Sequence, residues 1–242
     1  GGGGVDTFMN TGLALPITGI TPPYVLGATL TVKTEPVIYN LFVYDPRNAQ
    51  SGDVIENPFS DGTVVLGSVT VPVKPFGLTG FQFFKAAFST QDGLDLADVP
   101  DLFLPPEAEA IAGRKDGRWY LSYGFQQYLY QNTADPRQGW GIFGQIGASE
   151  GNPNPLELSY LGGVSGSSPI PGRELDRWGV AYFRYNISDD LIGGLETLGI
   201  QLRDEEGVEA YYNLAVTPWF RVTADVQFIT PVRKDRDDAT FT

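Results

Sequence analysis

The sequence predicts an all-β protein, an antiparallel meander of about ten strands. The first observation is alternation of apolar and polar residues over stretches of about ten residues, which is typical of strands with one apolar face. The second is the composition, since 30 Gly, 18 Pro and 13% aromatic residues suit strands separated by many turns. The third is that the connections between successive strands alternate in length, so that all of the strands can pair as consecutive hairpins.

Residues 207–231 show this alternation most clearly. Thr217-Pro218 divides the stretch into two strands, because proline cannot donate a hydrogen bond to a strand ladder. Each strand then has one apolar and one polar face. The apolar faces carry Val208, Ala210, Tyr212, Leu214, Val216, Phe220, Val222, Ala224, Val226 and Phe228.

The remaining elements follow in chain order. Residues 1–27 are rich in Gly and Pro and are predicted to be loop. The other predicted strands are 28–34, 37–45, 63–73, 81–90, 117–131, 140–149, 156–164 and 177–187. Strand 177–187 has ambiguous faces, because aromatic residues occur on both. A short helix is predicted over 105–113, where proline begins the segment, acids occupy the first turn and glycine ends it.

The connections predict where the protein resides. In a meander, alternate connections lie at the same end, and three of those at one end are long and acidic: 46–62, 91–116 and 188–206. Long loops at one end and short turns at the other, with strands of about ten residues, predict part of a transmembrane outer-membrane β-barrel. A soluble barrel or sandwich is the alternative, but soluble strands average nearer five or six residues.

The barrel prediction assigns the apolar faces to lipid, with aromatic residues near the strand ends at the membrane interface. The residues expected on the outside are Trp119, Leu121, Tyr123, Phe125, Val208, Tyr212, Leu214, Val222 and Val226.

Composition and charge exclude several function classes. The chain has no Cys and no His, which removes disulfides, thiol chemistry and His-based zinc sites and triads. A net charge of −13 disfavours nucleic acid as a partner. No apolar run is long enough for a membrane-spanning helix. No carboxylate pair stands out for glycoside hydrolysis, so neither an enzyme nor a cofactor is expected.

Several C-terminal motifs resemble the OprB-type carbohydrate-selective porins of the bacterial outer membrane. The motifs are Pro171-Gly172-Arg173-Glu-Leu-Asp176, Glu209-Ala-Tyr-Tyr-Asn213, Thr217-Pro218-Trp219 and Asp225-Val-Gln227-Phe-Ile-Thr-Pro231. The resemblance covers the C-terminal third well, and the first hundred residues match only in style. It implies a sixteen-stranded barrel that passes sugars. The chain, treated as one domain over 1–242, is then expected to be a fragment that lacks N-terminal strands and the closing C-terminal strand.

The polar face of the strands supplies the candidate solute-binding residues. The lumen-lining candidates are Glu209, Asn213, Arg221, Asp225, Gln227, Arg184, Arg118, Gln126, Lys85 and Lys33. Their opposite charges nearly balance, which favours neutral sugars, and replacing Glu209 or Arg221 is expected to change sugar block more than stability. In the turn motif Gly172, Arg173 and Asp176, the two charged residues are expected to form an ion pair that stabilises the hairpin. The acids of the loop 91–116 could bind calcium, although a solvated acidic loop is favoured over that reading.

Three functions remain open from the sequence. The first is a porin for carbohydrate diffusion, with sugars and outer-membrane lipid as partners and a homo-oligomer as a possible assembly. The second is an outer-membrane barrel with a structural role and no transport. The third is a soluble β-sandwich that binds a ligand.

Overall fold

The computed structural model describes residues 7–14, 24–49, 52–103 and 113–234. Ten antiparallel strands form one sheet, and each strand pairs with the next long strand along the chain. They are β1 (Gly27–Lys33), β2 (Ile38–Tyr44), β3 (Val64–Val73), β4 (Gly80–Ser89), β7 (Arg118–Gln131), β8 (Gly139–Ser149), β9 (Leu156–Ser167), β10 (Arg177–Ile187), β11 (Glu205–Thr217) and β12 (Phe220–Thr230). The predicted meander is therefore confirmed. Within the described part of the chain β1 and β12 are the two edges and do not pair with each other.

The connections contain more regular structure than the sequence predicted. A two-stranded sheet joins β5 (Gly93–Leu94) to β6 (Arg114–Lys115) in the connection between β4 and β7. The helices are α1 (Thr11–Ala14), α2 (Gly52–Glu56) and α3 (Asp189–Glu196), with 3-10 turns at Pro75–Gly77 and Leu96–Phe103. The helix predicted over 105–113 lies outside the described residues apart from Gly113. None of the described helices has the length and apolar character needed to cross a membrane.

Helix α3 lies in a connection that was predicted to be loop. Ser188 caps it, because its Oγ accepts a hydrogen bond from the Leu191 amide at 3.3 Å. Asp189 and Asp190 follow in the first turn, where negative charge favours a helix. The cap and the two acids are visible in the sequence, but the element is only eight residues long and gives a weak periodic signal.

The strand register divides the sheet into two faces. We call the face that carries the exposed apolar side chains the outer face and the opposite one the inner face. Residues that are partners across a strand pair lie on the same face. One row of outer-face partners runs across five strands, from β2 to β8: Leu41, Gly67, Ala86, Leu121 and Ala148. On the outer face Leu30 is 60% exposed, Leu121 is 53% exposed and Val222 is 48% exposed.

All of the residues predicted for the outside lie on the outer face. Five of them are exposed: Trp119, Leu121, Val208, Leu214 and Val222. The other four are half-buried by their neighbours: Tyr123, Phe125, Tyr212 and Val226. An apolar surface that spans the sheet exceeds what a soluble monomer normally exposes.

The turn between β9 and β10 is held by the predicted ion pair. Arg173 donates to both carboxylate oxygens of Asp176, at 2.7 and 2.9 Å. Asp176 is almost fully buried and also accepts hydrogen bonds from the Tyr212 hydroxyl and the Ala215 amide, both at 2.7 Å. Gly172 has φ 78°, a left-handed conformation that favours glycine. The Asp176 carboxylate thus connects this turn to β11.

At the opposite end of the sheet, the loop after β2 is organised by Asp45. Arg47 donates to both oxygens of this fully buried carboxylate, at 3.0 and 2.8 Å, and the Phe59 amide donates at 2.6 Å. The Arg47 side-chain hydrogen bonds hold the pKa of Asp45 at about 2, below its usual 3.8, although burial opposes this.

We therefore expect the loop 46–62 to loosen in acid. The folded pKa of Asp45 is depressed, so its contribution is complete above about pH 4 and is lost as the pH falls towards about 2. A shift of this size corresponds to about 2 kcal/mol. Limited proteolysis of the loop at pH 5 and pH 2.5 measures the effect. Asp45→Asn serves as the control, since it should be cleaved readily at both pH values, and equal protection of the unsubstituted loop at both would contradict the prediction.

Two of the acids considered for calcium, Asp95 and Asp98, form local contacts. Asp95 pairs with Lys115 at 3.1 Å and accepts from Asn152 Nδ2 at 2.7 Å, and Asp98 accepts from the Gly113 amide at 2.8 Å. The hydrogen bond from Asn152 is the main reason why the pKa of Asp95 lies below its usual value. Within the described ranges, no three acidic side chains are grouped so that they could hold a metal ion.

Candidate functional site

The N-terminal segment 7–14 packs on the inner face of the sheet. Phe8 is 3% exposed, with its ring 5.0 Å from Tyr211 in an edge-on contact and 5.6 Å from Phe143. Leu13 is also buried. Together with residues of β9, β10 and β11 they form a hydrophobic cluster of Phe8, Leu13, Leu156, Ala181, Phe183, Tyr185 and Tyr211. Segment 7–14 therefore completes an apolar cluster on the inner face, which carries a second buried cluster of Tyr44, Val64, Ala87 and Tyr120.

Glycines make room for this segment. A Cβ at Gly179 would lie 2.7 Å from the Phe8 ring and 2.6 Å from the Tyr211 ring. A Cβ at Gly12 would lie 2.9 Å from the Phe183 ring. All three distances are too short for real contacts, so the backbone reaches the rings only because side chains are missing at these two positions.

Glu209 anchors the segment through polar contacts. Its carboxylate is fully buried and accepts hydrogen bonds from the Met9 amide at 2.6 Å and the Asn10 amide at 2.8 Å. A buried carboxylate is expensive unless it is hydrogen-bonded, and segment 7–14 supplies these partners. Asn10 Nδ2 also donates to Gln227 at 3.1 Å, and the Tyr185 hydroxyl donates to the Gly12 carbonyl at 2.5 Å.

The neighbouring β11 and β12 residues are engaged with one another. Arg221 donates to Asn213 Oδ1 at 2.7 Å, and Asn213 Nδ2 donates to Thr223 at 2.7 Å. Gln227 Nε2 donates to Asp225 Oδ1 at 2.9 Å. This part of the inner face is a hydrogen-bonded layer, and Asn213 within it is fully buried.

A pocket of about 210 Å³ lies between segment 7–14 and the strands β4 and β7 to β11. Its inner-face side chains combine aromatic rings with polar groups: Phe8, Gln126, Tyr128, Phe143, Ser165, Arg177 and Tyr211. Gln126 and Arg177 are exposed. No ion pair to Arg177 is found among the described residues, so its guanidinium can serve a ligand. Flat apolar surfaces beside amide and guanidinium donors are suited to binding a polyhydroxylated ring.

The structure places nine of the ten lumen candidates on the inner face. Lys33 and Lys85 are exposed there, and Arg118 is half-buried at the end that carries the long loops. The prediction that Arg184 lines the lumen is corrected, because the register pairs Arg184 with Glu206 and puts it on the outer face beside Tyr182. There it contacts Asp204 at 2.8 Å and Glu206 at 3.4 Å. The wrong assignment arose from the ambiguous alternation of strand 177–187.

Sequence reasoning missed segment 7–14 and Arg177. Residues 1–27 were predicted to be loop because they are rich in Gly and Pro, and segment 7–14 within them is too short to show periodicity. Phe8 is the one signal that was available, since an aromatic residue in a Gly-rich stretch needs a partner surface. Arg177 was overlooked because it begins the strand whose faces were ambiguous.

An exposed apolar face backed by a polar inner face is the arrangement of a porin wall. The family model for the carbohydrate-selective porins, OprB family, matches residues 4–241. The chain belongs to this family.

Two solved structures show the same fold. The high-pH structure of Pseudomonas putida OprB has a TM-score of 0.69 at 18% identity, over 84% of this chain and 53% of that chain. Its low-pH structure has a TM-score of 0.54 at 15% identity, over 86% and 51%. The chain thus spans about half the length of these porins. A search of curated proteins finds no match.

Proposed function

We propose that this chain forms ten strands of a larger bacterial outer-membrane porin through which carbohydrates diffuse. Family membership supports a larger barrel, and so do the two sheet edges, which are unpaired among the described residues, because a membrane barrel cannot leave edge strands unpaired in lipid. The exposed apolar outer face supports contact with lipid. In this proposal the protein is a diffusion channel and not an enzyme.

The pocket beneath segment 7–14 is the observation that carries the proposal. A permeating solute must bind weakly enough to leave again. Exposed Gln126 and Arg177, set among aromatic rings, offer hydrogen bonds without enclosing the ligand. Segment 7–14 occupies part of the space above the inner face, so it would narrow the path and bring a solute against these side chains.

The test is single-channel conductance of the complete barrel in a planar bilayer, with and without glucose. A diffusion porin should give steps of current that glucose reduces reversibly. A structural barrel without transport would give no sugar-dependent change, and a soluble module would not insert. Either result would contradict the proposal.

We expect Gln126→Ala and Arg177→Ala to weaken block of the current by glucose. Each substitution removes one side chain that can form a hydrogen bond with the sugar. A hydrogen bond contributes about 0.5–1.5 kcal/mol, which corresponds to a change of about twofold to tenfold in affinity for the sugar. Arg137→Ala is the matched control, because Arg137 pairs with Asp135 in the exposed turn between β7 and β8. Unchanged block in both pocket variants would remove the pocket from the solute path.

A further inference from the structure

The charges of the inner face are divided between two regions of the sheet. The six strands β1, β2, β3, β4, β7 and β8 contain no Asp or Glu. Their only charged side chains are Lys33, Lys85 and Arg118, and all three lie on the inner face. The acids of the ten-stranded sheet lie instead in β9, β11 and β12. The region β9 to β12 carries both signs, because Arg177 and Arg221 also lie on its inner face, whereas the inner face of the first six strands carries only positive charge.

The acids of the sheet already have partners in the protein. Glu209 is buried under segment 7–14. Glu206 lies on the outer face, where it accepts a hydrogen bond from the Tyr182 hydroxyl. Glu157 accepts a hydrogen bond from the Asp189 amide, Glu205 accepts one from the Val232 amide, and Asp225 accepts one from Gln227 Nε2. In the first region Lys33 and Lys85 are exposed, whereas Glu157, Glu205 and Asp225 are half-buried and Glu209 is fully buried. The most accessible charges of the inner face are therefore positive.

Lys85 stands at the centre of a polar row that crosses five strands. Thr31 Oγ1 donates to Asn40 Oδ1 at 2.7 Å, and Asn40 Nδ2 donates to Ser68 Oγ at 3.3 Å. The register then places Lys85 between Ser68 of β3 and Ser122 of β7. Lys85 is exposed and forms no salt bridge with any described residue.

Ser122 supplies an independent sign of a missing ligand. It is 7% exposed, and its Oγ has no hydrogen-bond partner among the described residues. Buried hydroxyls normally have partners. A ligand bound beside Lys85 would provide one.

We infer that the row Asn40–Ser68–Lys85–Ser122 is a binding site for a carboxylated monosaccharide. The inference rests on the proposed porin function and adds a preference for acidic sugars to it. The ammonium of Lys85 holds the sugar carboxylate, since charge-assisted hydrogen bonds are stronger than neutral ones. The hydroxyls and the amide of the row bind the sugar hydroxyl groups.

The acidic loops oppose entry of an anion, but they act at a distance. The Debye length is about 8 Å at physiological salt. Loop carboxylates farther than this from a bound sugar are screened, whereas Lys85 would be in direct contact with it. The loops therefore lower the rate at which the anionic sugar enters at low salt. At physiological salt the row around Lys85 sets the affinity for that sugar.

The test compares block by glucuronate and by glucose in the complete barrel at 0.15 M salt. Lys85→Gln should weaken glucuronate block by about tenfold and leave glucose block within about twofold, because it removes one charge-assisted contact. Ser122→Ala deletes a hydroxyl that has no partner among the described residues, so folding is retained while glucuronate block weakens by about threefold. Lys74→Gln, in the turn between β3 and β4, is the control and should change neither sugar.

Equal losses for glucose and glucuronate in Lys85→Gln would overturn the inference, and so would no loss for either. Both results leave the porin function standing, provided that the unsubstituted barrel is blocked by glucose. A barrel that conducts but responds to neither sugar would overturn the proposed function itself.

Discussion

Glu209→Ala is expected to release segment 7–14 from the inner face and to raise the ion conductance of the complete barrel. The substitution leaves the Met9 and Asn10 amides without their acceptor. A hydrogen bond contributes about 0.5–1.5 kcal/mol, so two of them contribute up to about 3 kcal/mol. A loss of about 3 kcal/mol would raise the open fraction of the segment about 100-fold.

Thiol labelling measures this release directly. The chain has no cysteine, so Leu13→Cys introduces a single thiol, at a buried position. Its labelling should be slow in the parent and about 100-fold faster with Glu209→Ala. Glu206→Ala is the matched control, since it removes an acid of the same strand on the outer face. Slow labelling in both variants would show that the hydrophobic contacts of Phe8 and Leu13 hold the segment without Glu209.

This expectation differs from the one that the sequence supports. Alternation places Glu209 on the polar face, which suggested direct contact with solute and little effect on stability. The structure shows the carboxylate fully buried beneath the N-terminal segment. Any change in sugar block in Glu209→Ala should therefore arise through movement of the segment.

Asp176→Ala is expected to give the largest loss of stability. Removing the carboxylate leaves Arg173, the Tyr212 hydroxyl and the Ala215 amide without their acceptor. Breaking a buried ion pair by removing one partner costs about 3–5 kcal/mol. Because the Arg173 side chain is about one-third exposed, water can solvate part of its guanidinium after the carboxylate is removed. The loss of stability is therefore expected at the lower end of this range.

The Asp135–Arg137 pair provides the control for this experiment. Arg137 also donates two hydrogen bonds to the carboxylate of Asp135 in a turn, at 2.9 and 3.1 Å, but the Arg137 side chain is 91% exposed. Exposed pairs contribute about 0–1 kcal/mol, so Asp135→Ala should unfold at nearly the same denaturant concentration as the parent. Similar losses in the two variants would mean that burial does not distinguish the pairs.

The sequence by itself determined the strands, their order and most of their faces. Alternation is a local property, because successive side chains of a strand point to opposite faces. Residues 207–231 therefore identified their own apolar face, and the turns predicted a meander without any distant contact. The motifs around Arg173 and Glu209 were enough to identify the family.

Only the tertiary structure decided how the inner face is used. Met9 and Glu209 are 200 residues apart, and nothing in either local pattern reports the other. Arg184 was placed on the wrong face because its strand alternates aromatic residues on both sides, so only pairing with β11 sets the register. The positive region of the inner face also depends on which strands lie side by side, and the burial of Glu209 depends on segment 7–14. Periodicity specifies each strand, whereas the environment of a side chain depends on contacts between residues far apart in the chain.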